Sequence, residues 1–255
     1  MSGSVEVRLG EPVARVRLAD AAGRNVFTPA LDSALADAFR RAVAEPATRV
    51  VLLAGLADIF SAGGARADLL GEPDGTATIE HDRIIRTPLR CPVPVVAAMR
   101  GHAIGGGLLL GLYADVPLLS ERSVYSANFL GYGFTPAMGA SWLLPYRLGP
   151  ALGAEVLLGA ARHRGAELRD RGVPLRVLPH DEVEPRACEL AQRIAEAPRL
   201  TLEHAKAALA DEWRRASSAA FGRELPGHLE TLRLPEVRQR VASQYGVARR
   251  MGGAP

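Results

Sequence analysis

The sequence predicts an α/β fold of repeated strand, glycine-bearing loop and helix units, closed by a helical C-terminal region. Three observations lead there. The run 50–54 (Val-Val-Leu-Leu-Ala) is short and continuously apolar, as in a strand buried on both faces, and 93–99 repeats that pattern. Each run is followed by a loop rich in small residues: Phe60-Ser61-Ala62-Gly63-Gly64 after the first, and Gly101 to Gly107 after the second. Beyond Pro150 the periodicity becomes almost entirely helical, over 152–158, 182–196, 200–217 and 235–250.

The elements follow in order. Residues 5–9 and 13–18 alternate apolar and polar around Gly10-Glu11-Pro12, which predicts a hairpin with one exposed face. Pro29 then opens a helix whose apolar stripe is Leu31, Leu35, Ala38, Phe39 and Ala42, stopped by Pro46. The polar, turn-rich stretch 71–78 predicts a mobile surface loop beside the strand ends. A further short strand is expected over 114–119. The expected division is a core over 1–195 and a helical region over 196–255, with no low-complexity linker between them.

Composition narrows the function classes. A chain of 255 residues with 48% hydrophobic and 23% charged residues is that of an ordinary soluble, enzyme-sized protein. Its net charge is only +3, its aromatic content 5%, and its arginines are scattered among acidic neighbours, so nucleic acid is not the expected partner. Lys206 is the single lysine. Cys91 and Cys188 lie far apart without a metal-ligand spacing, which suggests neither a zinc site nor a disulfide framework and makes a reduced cytoplasmic location the default. No secretory leader pattern and no apolar run long enough to span a membrane is expected.

The chemistry starts at Gly105-Gly106-Gly107. Glycines between a strand and a helix present bare backbone at a helix start, where the first amides have no intrahelical partner and lie at the positive end of the helix dipole. Such a segment serves either anion or oxyanion binding or close packing of helix on sheet. A second glycine loop, at 60–64, supplies another candidate amide, and two amides converging on one carbonyl oxygen form an oxyanion hole.

These segments, together with Ala114-Asp115, resemble the crotonase (enoyl-CoA hydratase/isomerase) superfamily over nearly the whole chain. The resemblance implies a crotonase-like ββα spiral core, a C-terminal helical trimerisation region giving a homotrimer or hexamer, and an oxyanion hole formed by the amides of Gly64 and Gly106. The positions of the two glutamates that hydratases of this family use fall at Leu109 and Phe129, neither of which can move a proton. Hydration by two carboxylates is therefore not expected, whereas a dry pocket favours loss of a charged group. The segment 125–140, Gly165-Ala166-Glu167-Leu168 and Arg171-Gly172-Val173-Pro174 resemble the decarboxylating crotonases of polyketide β-branching.

That resemblance implies decarboxylation of a 3-methylglutaconyl-type thioester, carried on an acyl carrier protein, to a 3-methylcrotonyl-type thioester, without a metal or redox cofactor. It also implies a polar pair of one lysine and one histidine. The histidine matches His228, which would protonate the dienolate, although an isolated helix histidine also serves as a surface or capping residue. The lysine position falls at about Thr76, which either holds the substrate carboxylate or is a plain loop residue. Arg66, Arg83 and Arg86 are candidates for a replacement cation by proximity in sequence. Val26 and Ala62 would meet the pantetheine arm, and Asn128 and Tyr132 would line the pocket near Phe129. His102 reads as orienting backbone, His81 belongs to no constellation, and Trp142 and Trp213 read as core. Two other readings stay open: an enoyl isomerase or hydratase with displaced acids, and a non-catalytic thioester-binding subunit.

Overall fold

A computed structural model describes residues 4–71 and 74–245. Strands β1 (Val5–Arg8) and β2 (Val13–Leu18) form the predicted antiparallel hairpin, with Val5 opposite Leu18. After β3 (Val26–Phe27), helix α1 (Pro29–Ala44) starts where expected. The Thr28 hydroxyl accepts the Leu31 amide at 3.2 Å, and Pro29 presets the first turn. Its buried face is Leu31, Leu35, Ala38, Phe39 and Ala42, the stripe read from the sequence.

The chain then winds in successive turns. The first comprises β4 (Val50–Ala54), β5 (Ile59–Ser61) and β6 (Gly63–Gly64), followed by α2 (Arg66–Leu70), α3 (Thr76–Ile85) and α4 (Thr87–Arg90). The second comprises β7 (Val95–Met99), β8 (His102–Ile104) and α5 (Gly106–Leu112). The third comprises β9 (Val116–Ser120), β10 (Val124–Ser126), α6 (Phe129–Tyr132), α7 (Ala140–Leu148) and α8 (Pro150–Gly159). Then come β11 (His163–Arg164), α9 (Gly165–Asp170), β12 (Arg176–Leu178), α10 (Val183–Ile194), α11 (Arg199–Leu232) and α12 (Pro235–Gln244). The first strand of each turn joins one sheet, ordered β1-β2-β4-β7-β9-β12, and the second joins another, ordered β11-β10-β8-β5; β3 pairs with β6.

Strand β4 is buried throughout because both faces are covered. Val51 and Leu53 face the main core, while Val50 and Leu52 pack with Val183, Ala187 and Ala191 of α10. The main core also takes in Ala210 and Leu232 of α11 and Val237 and Val241 of α12. Among the described residues, no helix is long and apolar enough to cross a membrane.

The structure corrects three expectations. The region beyond Pro150 contains the short strands β11 and β12, and β12 completes the main sheet by pairing parallel with β9. Helix α3 begins within the stretch read as a loop, because the Asp74 carboxylate accepts the Thr76 amide at 2.8 Å and Thr78, Asp82, Ile84 and Ile85 bury one face. The expected helix 200–217 runs on through Pro226 to Leu232, so His228 lies within α11, the helix that precedes α12. Its place is secured by Glu224, whose carboxylate accepts the Gly139 and Ser141 amides, each at 2.7 Å, at the start of α7. Residues 246–250 of the expected last helix lie outside the described residues.

Candidate active site

The two glycine loops meet at the start of α5. A Cβ on Gly63, whose φ is +83°, would strike the Ile104 carbonyl oxygen at 2.5 Å and stand 3.2 Å from the Gly106 nitrogen. A Cβ on Gly107 would fall 2.4 Å from the Ser61 oxygen, so glycine there permits the close packing of α5 against the end of β5. The close-packing reading of the triple glycine is thus met, and the same bare backbone leaves Gly64 and Gly106 beside one cavity.

The cavity encloses about 70 Å³ and is walled mainly by apolar and aromatic groups. Phe27, Phe129, Phe134, Met138 and Leu232 contribute, with Ala62, Asn128 and Tyr132 toward one side. Phe134 lies edge-on to His228 with ring centres 5.5 Å apart and stacks on Tyr132 at 6.1 Å, while Tyr132 stacks on Tyr245 at 6.0 Å. The Tyr245 hydroxyl donates to the Gly64 carbonyl at 2.5 Å, tying the end of α12 to the first glycine loop.

His228 is 3% exposed, and its Nδ1 lies 2.6 Å from the Thr135 carbonyl oxygen. A carbonyl only accepts, so Nδ1 carries the hydrogen and Nε2 is the ring nitrogen available to a ligand. Burial lowers its pKa from the ordinary histidine value, with the Thr135 carbonyl and the Glu224 carboxylate opposing that shift. A second histidine, His81 of α3, lines the same cavity. Its Nε2 lies 3.1 Å from the Asp68 carboxylate, its ring is tilted against Phe27 with centres 5.8 Å apart, and burial lowers its pKa against the pull of Asp68.

Other sequence candidates fall elsewhere. Thr76 is exposed at the first turn of α3 and does not line the cavity; Ala77, Thr78, His81 and Ile85 of the same helix do. Leu109 is completely buried, away from the cavity lining, whereas Phe129 lines it. Val26 is buried in β3 and paired with Gly63, next to the cavity residue Phe27. The three candidate arginines are engaged elsewhere: Arg66 donates to the Ala242 carbonyl, Arg86 is buried against Asp82, Ser217 and Ser218, and Arg83 borders a groove outside the cavity. Lys206 is buried too, with Nζ 2.7 Å from both carboxylate oxygens of Asp115 and 3.1 Å from the Pro88 carbonyl. His102 accepts the Val124 amide on Nδ1 at 2.9 Å, which bears out its reading as an orienter of backbone.

Sequence reasoning missed Phe27, Asp68, His81, Phe134 and Tyr245. The only local signal was the spacing of Thr78, His81, Asp82 and Ile85 on one face of a helix, obscured by the turn-rich residues before it. No local pattern relates Tyr245 to Gly64, 181 residues away.

Comparison with known proteins agrees with this architecture. The chain is 40% identical over 240 residues to the bacillaene synthase decarboxylase PksI of Bacillus subtilis, covering 94% of this chain and 96% of that one. It superposes with a TM-score of 0.90 and 39% identity on a protein of a dehydratase/decarboxylase enzyme couple involved in polyketide beta-branching, covering 95% of this chain and 99% of the other. The ECH2 decarboxylase domain of CurF from Lyngbya majuscula gives a TM-score of 0.87 at 34% identity, covering 95% and 100%. Residues 8–241 match the Enoyl-CoA hydratase/isomerase family, and the chain belongs to that family.

Proposed function

We propose that this protein is a decarboxylase of polyketide β-branching that converts a 3-methylglutaconyl-type thioester on an acyl carrier protein to the 3-methylcrotonyl-type thioester. The single observation that carries the reading is an apolar cavity in which backbone glycines at two loop ends face an aromatic wall and a buried histidine. The amides of Gly64 and Gly106 hold the thioester oxygen. Cleavage of the bond between the γ-carbon and the carboxylate releases CO₂, and its electron pair passes through the carbon–carbon double bond to that oxygen as a dienolate. His228 Nε2, as imidazolium, delivers a proton to the γ-carbon. Leu109 and Phe129 leave no carboxylate pair to activate water, and the dry wall removes the solvation that stabilises the substrate's carboxylate.

Charge at the cavity mouth supports delivery on a carrier. Arg24, His102 and Arg162 border an open hollow of about 360 Å³ that shares Ala62, Asn128, Tyr132 and Tyr245 with the cavity. A basic rim suits the phosphate of a phosphopantetheine arm and the acidic surface expected of a carrier protein.

The test is CO₂ release from a 3-methylglutaconyl thioester. Wild-type protein releases CO₂, and His228→Ala lowers the rate about 10²–10⁴-fold while retaining binding of the thioester. Because burial lowers the His228 pKa, kcat/KM rises as the pH is brought down from neutrality, where more imidazolium is present. Absence of CO₂ with wild type, despite binding of the acyl carrier, overturns the decarboxylase reading; unchanged release by His228→Ala overturns only the role of that residue.

A further inference from the structure

The departing carboxylate needs a partner in a cavity that no lysine or arginine among the described residues lines. His81 has the geometry for that task. Its ring faces the first glycine loop, with Cε1 3.6 Å and Nδ1 3.8 Å from the point a Cβ on Gly64 would occupy. Its other nitrogen, Nε2, is 3.1 Å from Asp68 on α2 and so carries the hydrogen that the carboxylate accepts. Nδ1 is therefore the nitrogen presented beside Gly64, next to where the thioester would lie.

We propose that the His81–Asp68 pair recognises the substrate's carboxylate, with His81 Nδ1 donating to it as an imidazolium whose Nε2–H is held by Asp68. This rests on the decarboxylase reading above. Burial disfavours the imidazolium, while Asp68 and the neighbouring Glu80 favour it. The charged groups around it are Asp68 of α2, Glu80 of α3 and, across the cavity, His228 of α11, whose own pKa is lowered by His81; Asp32 of α1 stands behind Asp68 and Glu80. An entering carboxylate adds a further negative charge and draws a proton onto His81. A permanent cation would hold the carboxylate in its ground state, whereas a histidine already offset by Asp68 binds it without the same opposition to its conversion to neutral CO₂. His81 transfers no proton in the step; the γ-carbon receives its proton from His228.

The test separates recognition from turnover. Affinities are measured for glutaryl and butyryl pantetheine thioesters, which share the thioester but differ in a carboxylate that cannot leave from the saturated chain. Wild type is expected to bind the glutaryl thioester about tenfold or more tightly at pH 6, as for a charge-assisted hydrogen bond, with the preference shrinking at pH 8. His81→Gln loses the preference but keeps the butyryl affinity. A second measurement needs no variant: the ring-nitrogen NMR signals of His81 move to the imidazolium position with the glutaryl thioester and not with the butyryl one. A preference that survives His81→Gln, or a His81 ring that stays neutral in the glutaryl complex, overturns the proposal. Wild type that shows the preference yet releases no CO₂ from a glutaconyl thioester overturns the decarboxylase reading alone.

Discussion

The two walls of the cavity are built on different principles. One is backbone: the loops ending β5 and β8, held close because Gly63 and Gly107 have no Cβ, present Gly64 and Gly106. The other is side chain: α3, α11 and the end of α12 bring His81, His228 and Tyr245 from widely separated parts of the chain. The backbone wall follows from local sequence and tolerates almost no added volume. The side-chain wall is set by how helices dock, and its chemistry can be altered residue by residue. On the proposed reading, charge stabilisation and proton supply are separable, since the first would be fixed by the spiral and the second by what lies over it.

The largest way to break this contrast is on the backbone side. Gly107→Ala would place a methyl group 2.4 Å from the Ser61 carbonyl oxygen, with backbone on both sides of the clash. Overpacking of this kind costs roughly 1–3 kcal/mol and separates the two loops, so the melting temperature falls by several degrees and thioester binding weakens together with turnover. A calorimetric scan and a binding titration check both; unchanged melting and affinity would mean that the loops need not touch. Tyr245→Phe gives an intermediate effect. It removes the hydrogen bond to the Gly64 carbonyl, worth about 1 kcal/mol, and lowers kcat about fivefold, with a smaller loss of stability than Gly107→Ala.

The smallest effect concerns Asp32 behind the helical wall. Burial first, then the charges of Asp68 and Glu80, raise its pKa to about 7, and one of its oxygens is buried without a hydrogen-bond partner. The folded protein therefore holds a proton that the unfolded chain releases between the ordinary carboxylate range and pH 7, so this group lowers stability as the pH rises through that interval. Asp32→Asn imitates the protonated form. It should leave the melting temperature unchanged at pH 4 and raise it by a few degrees at pH 8, since the residue is only partly buried. The depressed pKa values of His81 and His228 act with the opposite sign, because the unfolded chain takes up protons first as the pH falls below the ordinary histidine value; acid therefore weakens the folded state through them.

The difference between the walls also explains what could be read from the residues. The stripe of α1, the buried strand β4 and the glycine loops follow from side-chain periodicity and backbone sterics within a few residues, and each formed as expected. Thr76 shows where that reasoning stops. The lysine position implied by the resemblance falls at the start of α3, but helical geometry turns Ala77, Thr78, His81 and Ile85 toward the cavity and leaves Thr76 exposed. His228 was legible through family resemblance, while its hydrogen bond to Thr135, 93 residues away, was not.

By itself the sequence determined the α/β spiral, the family, the glycine loops and the lack of a paired carboxylate at Leu109 and Phe129, because these depend on residue identity and on spacing along the chain. Only the tertiary structure decided that Lys206 is spent on Asp115, that the candidate arginines lie away from the cavity, and that His81 meets Asp68 beside Gly64. The physical reason is that burial and charge pairing depend on distances in space, and a change of one helical position turns a side chain about 100° around the axis.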